Sequence, residues 1–382
     1  MDTSNIIDMR NRISPEELEA IVRNQVSLIE KNPAISQSLP PLMVWGGPGL
    51  GKSTILRKIA EEMKMGFIDI RLAQREPVDI RGLPVPNEDS VRWLISSDWP
   101  RDPSSRGILL FDELTAADRT LQVAAYEIIL DRRLGDLYRL PNGWYIVAAG
   151  NREEDMAVAT TMSSALANRF MHVELQEAPE QWVRWGLQND IHPAVIGFIR
   201  FRPDLLFHQE NENLERGWPT PRSWERVSTM LKNFHVDGQQ YLLDKLIYGL
   251  VGNQAGVEFC AFREIAEQFE DTYEVMTNPQ AKMIIPDKPD QCYAFCAAVA
   301  YYLWRGENPE EESKLLDGFY RIALSLSSDF AAMLMMDALT GNRKTDNPKV
   351  FADKLFYHPG YKKWSEKHGK ALRARMNKAK MQ

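Results

Sequence analysis

The chain has 382 residues, 44% of them hydrophobic and 26% charged, and its 46 Lys+Arg against 53 Asp+Glu leave a net charge of −7. That length suggests two or three domains, and the apolar fraction excludes general disorder. The mild acidity argues against a protein that coats a polyanion with its whole surface. In chain order, Ser14-Pro15-Glu16-Glu17 opens a helix by a capping box with Pro at the first helical position. Leu18, Ile21, Val22, Val26 and Ile29 continue it at helical spacing, and Asn32-Pro33 stops it. Strands are predicted at Leu42–Trp45, 66–70, 107–111, 144–149 and Met171–Leu175, with helical sequence between several of them. Alternating strands and helices imply a parallel α/β sheet.

After about residue 178 the strand signals stop. Helices are predicted over 181–189, 192–207, 220–234, 239–251 and 255–270. A Pro-rich stretch, 277–289, reads as a linker. Further helices follow over about 290–304, 309–327 and 329–340. The expected domains are therefore 1–177 (α/β), 178–280 (helical lid) and 281–382 (helical extension).

The charge is unevenly spread. Residues 361–382 carry a net +7, leaving −14 for residues 1–360. The tail reads either as a solvated, partly helical segment or as a docking arm for an acidic partner, a neighbouring subunit or nucleic acid. Three cysteines without paired spacing (Cys260, Cys292, Cys296) point to a reduced, cytoplasmic protein with buried thiols. The N-terminal residues lack the apolar run of a secretory leader, and the longest apolar run, 292–304, is too short to span a bilayer.

Gly46-Gly47-Pro48-Gly49-Leu50-Gly51-Lys52-Ser53 fits the phosphate-loop pattern between an apolar strand and a helix. Glycines let the backbone curl its N–H groups around phosphate oxygens, and the following helix adds its N-terminal dipole. Lys52 is the candidate for the β- and γ-phosphates of ATP, and the Ser53 hydroxyl for Mg2+. Ile108-Leu109-Leu110-Phe111-Asp112-Glu113 is a buried strand ending in two acids. Asp112 is the candidate for holding the metal through its water shell, and Glu113 for activating the attacking water. Alternation along a strand predicts that the two acids face opposite ways. Asn151 ends the fourth strand, where its amide could contact both the γ-phosphate and the water. Arg169, after the Ala165–Ala167 run, is placed to reach a neighbouring subunit's nucleotide, a contribution worth about 10³–10⁵ in rate when supplied in trans. Arg222 begins a helix capped by Thr220, where a bound phosphate relieves the unfavourable meeting of cation and dipole.

The order of these motifs resembles an AAA+ ATPase of the MoxR-like branch, in the helix-2-insert group. GGPGLGKS, GILLFDELTAA, RRLGDLYRLPNGWYIVAAGNREED, SSALANRF and WPTPRSWE carry the resemblance, over about residues 38–270. It implies Walker A at Gly46–Ser53, Walker B at Ile108–Glu113, sensor 1 at Asn151, the arginine finger at Arg169 and sensor 2 at Arg222. It also implies a P-loop AAA+ three-layer domain, an all-α lid, ATP bound between the subunits of a homo-oligomeric, usually hexameric ring, and a chaperone that remodels or activates a protein target. A von Willebrand factor A domain protein is the partner it suggests. The residues after 280 have no counterpart in that resemblance.

The family's helix-2 hairpin corresponds to Leu83–Pro86 and Val91–Ile95 around the turn-like 87–90. A second hairpin is expected over Leu134–Trp144, turned by Pro141-Asn142-Gly143. Arg132 and Arg133 are further candidates for contacts in trans, and Arg152 follows sensor 1 with no direction assigned. Two alternatives stay open. One is a nucleic-acid motor or loader, supported by the basic tail and opposed by the acidic body, since tracking a backbone needs a positive channel. The other is a nucleotide-gated scaffold, opposed by the intact Asp112, Glu113 and Arg169.

Overall fold

A computed structural model describes residues 11–151, 162–209, 217–234, 240–341 and 349–381. The chain divides into two compact units, residues 1–178 and 179–382. The first contains β1 (Arg12–Ile13), α1 (Pro15–Lys31), β2 (Leu42–Trp45), α2 (Lys52–Glu62), β3 (Gly66–Arg71) and α3 (Pro77–Arg81). It continues with β4 (Leu83–Asn87), β5 (Ser90–Leu94), β6 (Arg106–Asp112), α4 (Arg119–Asp131), β7 (Arg133–Leu134) and β8 (Tyr138–Arg139). β9 (Gly143–Gly150), α5 (Ser164–Ala167) and β10 (Met171–Leu175) complete it.

Six strands form one sheet in the order β1-β10-β2-β9-β6-β3, and every neighbouring pair is parallel. Both faces of a parallel sheet are covered, so its central strands read as continuous apolar runs. Ile108, Leu109, Leu110 and Phe111 of β6 are wholly buried. Helix α1 starts as its capping box predicts: the Ser14 hydroxyl accepts from the Glu17 N–H, and the Glu17 carboxylate accepts from the Ser14 N–H. Because the strands are parallel, their carboxyl ends share one edge, where ligands bind in open α/β sheets. The register sets Trp45 opposite Gly150 and Arg71 opposite Asp112 along that edge.

The hairpin β4–β5 forms where expected, antiparallel, pairing Asn87 with Ser90. The second hairpin is shorter than predicted. It pairs Arg133 with Arg139 and Leu134 with Tyr138, and its turn is 135–137, with Gly135 at φ 53°. Pro141-Asn142-Gly143 instead leads into β9. Arg132 is buried, and its guanidinium donates to the carbonyls of Pro141 (3.1 Å) and Trp144 (2.7 Å). It therefore pins this turn from inside and is not presented to a neighbour. Arg133 is exposed enough to meet Glu127 at 3.4 Å. Arg152 lies outside the described residues.

The second unit is helical: α6 (Pro179–Gln188), α7 (Pro193–Phe201), α8 (Pro221–Asn233), α9 (Gln240–Val251), α10 (Asn253–Glu267) and α11 (Thr272–Thr277). α12 (Pro289–Leu303), α13 (Pro309–Ser325), α14 (Ser328–Thr340), α15 (Lys349–Phe356) and α16 (Gly360–Met381) follow. Phe198, Trp224 and Phe259 centre one hydrophobic cluster, and Phe319, Leu334 and Trp364 belong to another. The expected linker is irregular over 278–288, yet α12 beyond it packs against α7 before it. The basic tail is also not a loose segment. It is the 22-residue helix α16, with Trp364, His368 and Leu372 buried, packed on α13 and α14. Cys260, Cys292 and Cys296 are buried and free, and burial raises each thiol above its ordinary range. No helix among the described residues is long and apolar enough to cross a membrane.

Candidate functional site

The loop after β2 turns on backbone shapes that glycine permits. Gly46 has φ 151°, and a Cβ there would lie 2.9 Å from the Leu175 carbonyl oxygen. Gly51, at φ 91°, is the N-cap of α2. The first turn of any helix leaves N–H groups without helical acceptors, and here that turn follows directly on the loop.

Lys52 opens α2 and is 9% exposed. Its ammonium donates to the carbonyls of Gly46 (2.5 Å) and Gly47 (3.1 Å) and to the Asn151 amide oxygen (3.1 Å). A buried ammonium needs such acceptors. The next residue, Ser53, donates its hydroxyl to Asp112 Oδ2 at 2.7 Å. So the ends of β2, β6 and β9, far apart in sequence, converge on two adjacent residues of α2.

Asn151 is held in turn by Thr115. The Thr115 hydroxyl accepts from the Asn151 N–H (3.2 Å) and donates to its carbonyl (3.3 Å). Thr115 is buried and was not singled out in the sequence, where it reads as one of many loop hydroxyls. Asp69 was missed too. Burial first, then the Asp112 carboxylate, push its carboxyl above the ordinary range, while Arg71 and Arg57 pull the other way.

Glu113 departs from the expected strand alternation. Strand β6 ends at Asp112, and Glu113 has φ 56°, in the left-handed region. Its N–H donates to Asp112 Oδ1 (3.0 Å), its carbonyl accepts from Ala116, and the next N–H, of Leu114, reaches the Ala149 carbonyl at 2.9 Å. Such a conformation costs of order 1–3 kcal/mol in a non-glycine residue and persists where neighbours over-determine it. Its direction is therefore set by the turn.

Arg169 is exposed just after α5. Its guanidinium donates to the Tyr126 hydroxyl and lies 5.7 Å from the centroid of that ring. The start of β10 is tied in by His172, whose Nδ1 accepts from the Trp45 indole N–H (2.9 Å) while Nε2 faces the Ala167 carbonyl (2.7 Å). Because an indole N–H can only donate, Nδ1 is the accepting nitrogen of that pair.

Arg222 lies in the second unit, exposed in the first turn of α8. That helix begins as the sequence implied, with the Thr220 hydroxyl accepting from the Ser223 N–H at 3.0 Å. The structure thus brings together Lys52, Ser53, Asp112 and Asn151, sets Glu113 beside them, and places Arg169 on the surface of the same unit. No group of three or more His, Cys, Asp or Glu suited to a metal occurs among the described residues.

No family model and no curated protein matches the chain. Among solved structures, it is similar to NtrX from Brucella abortus at 13% identity, over 87% of this chain and 67% of that one, with a TM-score of 0.35. A structure of that NtrX in complex with ADP overlaps at 15% identity, over 78% and 64% of the two chains, with a TM-score of 0.34. The RuvB Holliday junction branch migration motor from Thermotoga maritima overlaps at 16% identity, over 76% and 90%, with a TM-score of 0.34. Overlap this loose assigns the chain to no family.

Proposed function

We propose that the chain is a Mg2+-dependent ATPase of the AAA+ class, in its MoxR-like branch. The observation that supports this best is the pair of contacts Lys52–Asn151 and Ser53–Asp112 at the carboxyl edge of the sheet. Three strand ends meet there on one glycine-rich loop. That arrangement suits a nucleoside triphosphate, because phosphate oxygens are stronger acceptors for Lys52 than the neutral carbonyl and amide oxygens it now contacts.

In this reading Gly46, Gly47, Pro48, Gly49, Leu50 and Gly51 wrap the phosphates through backbone N–H groups. Lys52 turns from its carbonyls to the β- and γ-phosphates. The Ser53 hydroxyl and the Asp112 carboxylate, hard oxygen donors already in contact, fit a magnesium ion. When bound, that ion neutralises phosphate charge. Glu113 accepts a proton from the attacking water, and Asn151, fixed by Thr115, orients that water against the γ-phosphate. Arg169, held ready by Tyr126, reaches a neighbouring subunit's nucleotide, and Arg222 closes on the phosphates from the helical unit.

The wider reading is a cytoplasmic, homo-oligomeric ring, hexameric as in the family it resembles. It remodels or activates a protein target with a von Willebrand factor A domain protein as partner. Residues 178–280 then serve as the lid and 281–382 as the segment that selects the partner. Titration with a fluorescent ATP analogue tests the site. The wild type should bind it, and Lys52→Ala should lose about tenfold or more in affinity, the scale of one charge-assisted contact. Equal affinity in the two proteins overturns the assignment.

A further inference from the structure

Helix α16 has two unlike faces. Trp364, His368 and Leu372 recur at helical spacing and are buried in the second unit. Lys362, Lys363, Lys367, Lys370 and Arg373 are exposed. At 100° per residue they fall within an arc of about 140°, which also holds the exposed Glu366, so the face sets five cations against one acid. Lys367 is anchored to the Leu324 carbonyl at 2.7 Å, at the C-terminal end of α13, where a cation is favoured. The other four have no ion-pair partner among the described residues. Elsewhere in this unit many cations are matched: Arg202 with Asp204, Lys232 with Asp190, Arg263 with Asp244 and Lys354 with Glu312.

The same unit carries an acidic ridge in the same condition. Glu264, Glu270, Asp271 and Glu274, from the end of α10 into α11, are exposed and have no ion-pair partner among the described residues. Their neighbour Glu267 is matched by Arg263 at 3.1 Å. The first turn of α13 is also acid-rich, but its charges are used internally: Glu310 meets Lys314, and Glu312 meets Lys354. No ion pair joins the ridge to α16 within one chain among the described residues. Like charges three and four apart on a helix, such as Lys363 and Lys367 or Lys370 and Arg373 on α16, repel by a few tenths of a kcal/mol, so the basic face gains from an acidic counter-surface.

We infer that the basic face of α16 docks on the acidic α10–α11 ridge of a second copy of this chain. The two patches are different surfaces, so the contact is head-to-tail, and repeating it builds a ring or a filament. The inference rests on the homo-oligomeric reading above and deepens it by naming the surfaces that meet; it does not depend on the nucleotide site. Charge complementarity within one chain favours a second copy over nucleic acid. The exposed arc also carries no aromatic ring on which bases could stack, and residues 1–360 carry −14.

The test is sedimentation velocity of the full chain at about 50 mM and about 500 mM NaCl. One variant reverses the basic face (Lys362→Glu, Lys363→Glu, Lys370→Glu, Arg373→Glu). A second reverses the ridge (Glu264→Lys, Glu270→Lys, Asp271→Lys, Glu274→Lys). The wild type should assemble at low salt and loosen by about tenfold or more at high salt, as expected for ion pairs at an exposed contact. Each variant alone should lose that assembly with its circular dichroism unchanged, and an equimolar mixture of the two should regain it. Neutral Gln at the same positions gives the same ordering, with smaller losses, should a reversal disturb folding. Wild-type assembly in either reversed variant overturns the inference, as does a mixture that stays dissociated. Loss of binding to a short labelled DNA duplex by the first variant, with assembly intact, overturns it in favour of nucleic acid. A failed ATP site shows instead as lost nucleotide binding in the wild type, with assembly unaffected.

Discussion

Replacing Trp364 tests whether the C-terminal segment belongs to the folded core. The side chain is wholly buried, in a cluster with Phe319, Leu334 and Leu355. Trp→Ala at such a site costs about 3–5 kcal/mol. One correction applies. The Trp364 indole N–H is buried and has no partner among the described residues, and an orphaned donor costs about 1–3 kcal/mol that its removal returns. The net loss for Trp364→Ala is then about 2 kcal/mol, roughly 30-fold in the folding equilibrium. Trp364→Phe keeps most of the ring and deletes the orphaned donor, so it should cost less than about 1.5 kcal/mol. Urea unfolding followed by helicity reports the difference, and amide exchange over 315–335 localises it. If Trp364→Ala leaves both the unfolding midpoint and that exchange unchanged, the tail does not pack and the description of α16 is wrong. If Trp364→Phe costs as much as Trp364→Ala, the indole N–H is partnered after all.

His192 caps α7, its Nδ1 accepting from the Ala194 N–H at 3.2 Å, and burial first, then Lys232, push it down to about 4. A group whose pKa falls on folding contributes stability that is full above its unfolded pKa and is lost as pH drops, here between about 6.5 and about 4 and worth about 3 kcal/mol at most. His192→Asn keeps a capping acceptor and should flatten that loss; an unchanged pH profile in a denaturation series contradicts it. Asp337, which burial pushes up to about 6, acts in the opposite sense over much of this window, so the variant-minus-wild-type difference is the quantity to read. At the candidate site, Thr115→Val removes the hydroxyl that holds both backbone groups of Asn151. Phosphate release should slow by about tenfold with ATP affinity within about twofold, the mark of lost positioning, and an equal loss of affinity argues for a merely structural role.

Much of the first unit was legible because its signals are local. Apolar runs such as 107–111 leave few options for a covered parallel strand, and the spacing of Gly46, Gly51 and Lys52 marks a glycine-shaped loop opening onto a helix. The hairpin at 83–94 was visible because a polar four-residue break separates two β-prone runs. What stayed hidden depends on tertiary contacts. Strand β1 is two residues long and exists only because β10 offers it an edge. Pro141-Asn142-Gly143 has good turn chemistry, but the register of Leu134 against Tyr138 places the turn at 135–137. Arg132 reads as a surface charge until the carbonyls of Pro141 and Trp144 are seen around it. Counting charges made the tail look solvated, although Trp364, His368 and Leu372 mark a packed stripe at helical spacing. Glu113 could not be aimed from strand alternation, because the strand ends one residue earlier.

The central claim is that the cluster at the carboxyl edge of the sheet hydrolyses ATP, with Glu113 as the base. Phosphate release by Glu113→Gln, measured beside its affinity for ATP, tests it most directly. The expected result is ATP affinity within about threefold of wild type and turnover slower by about 10²-fold or more, since general-base catalysis contributes about 10²–10⁴. Turnover equal to wild type at saturating ATP contradicts the account.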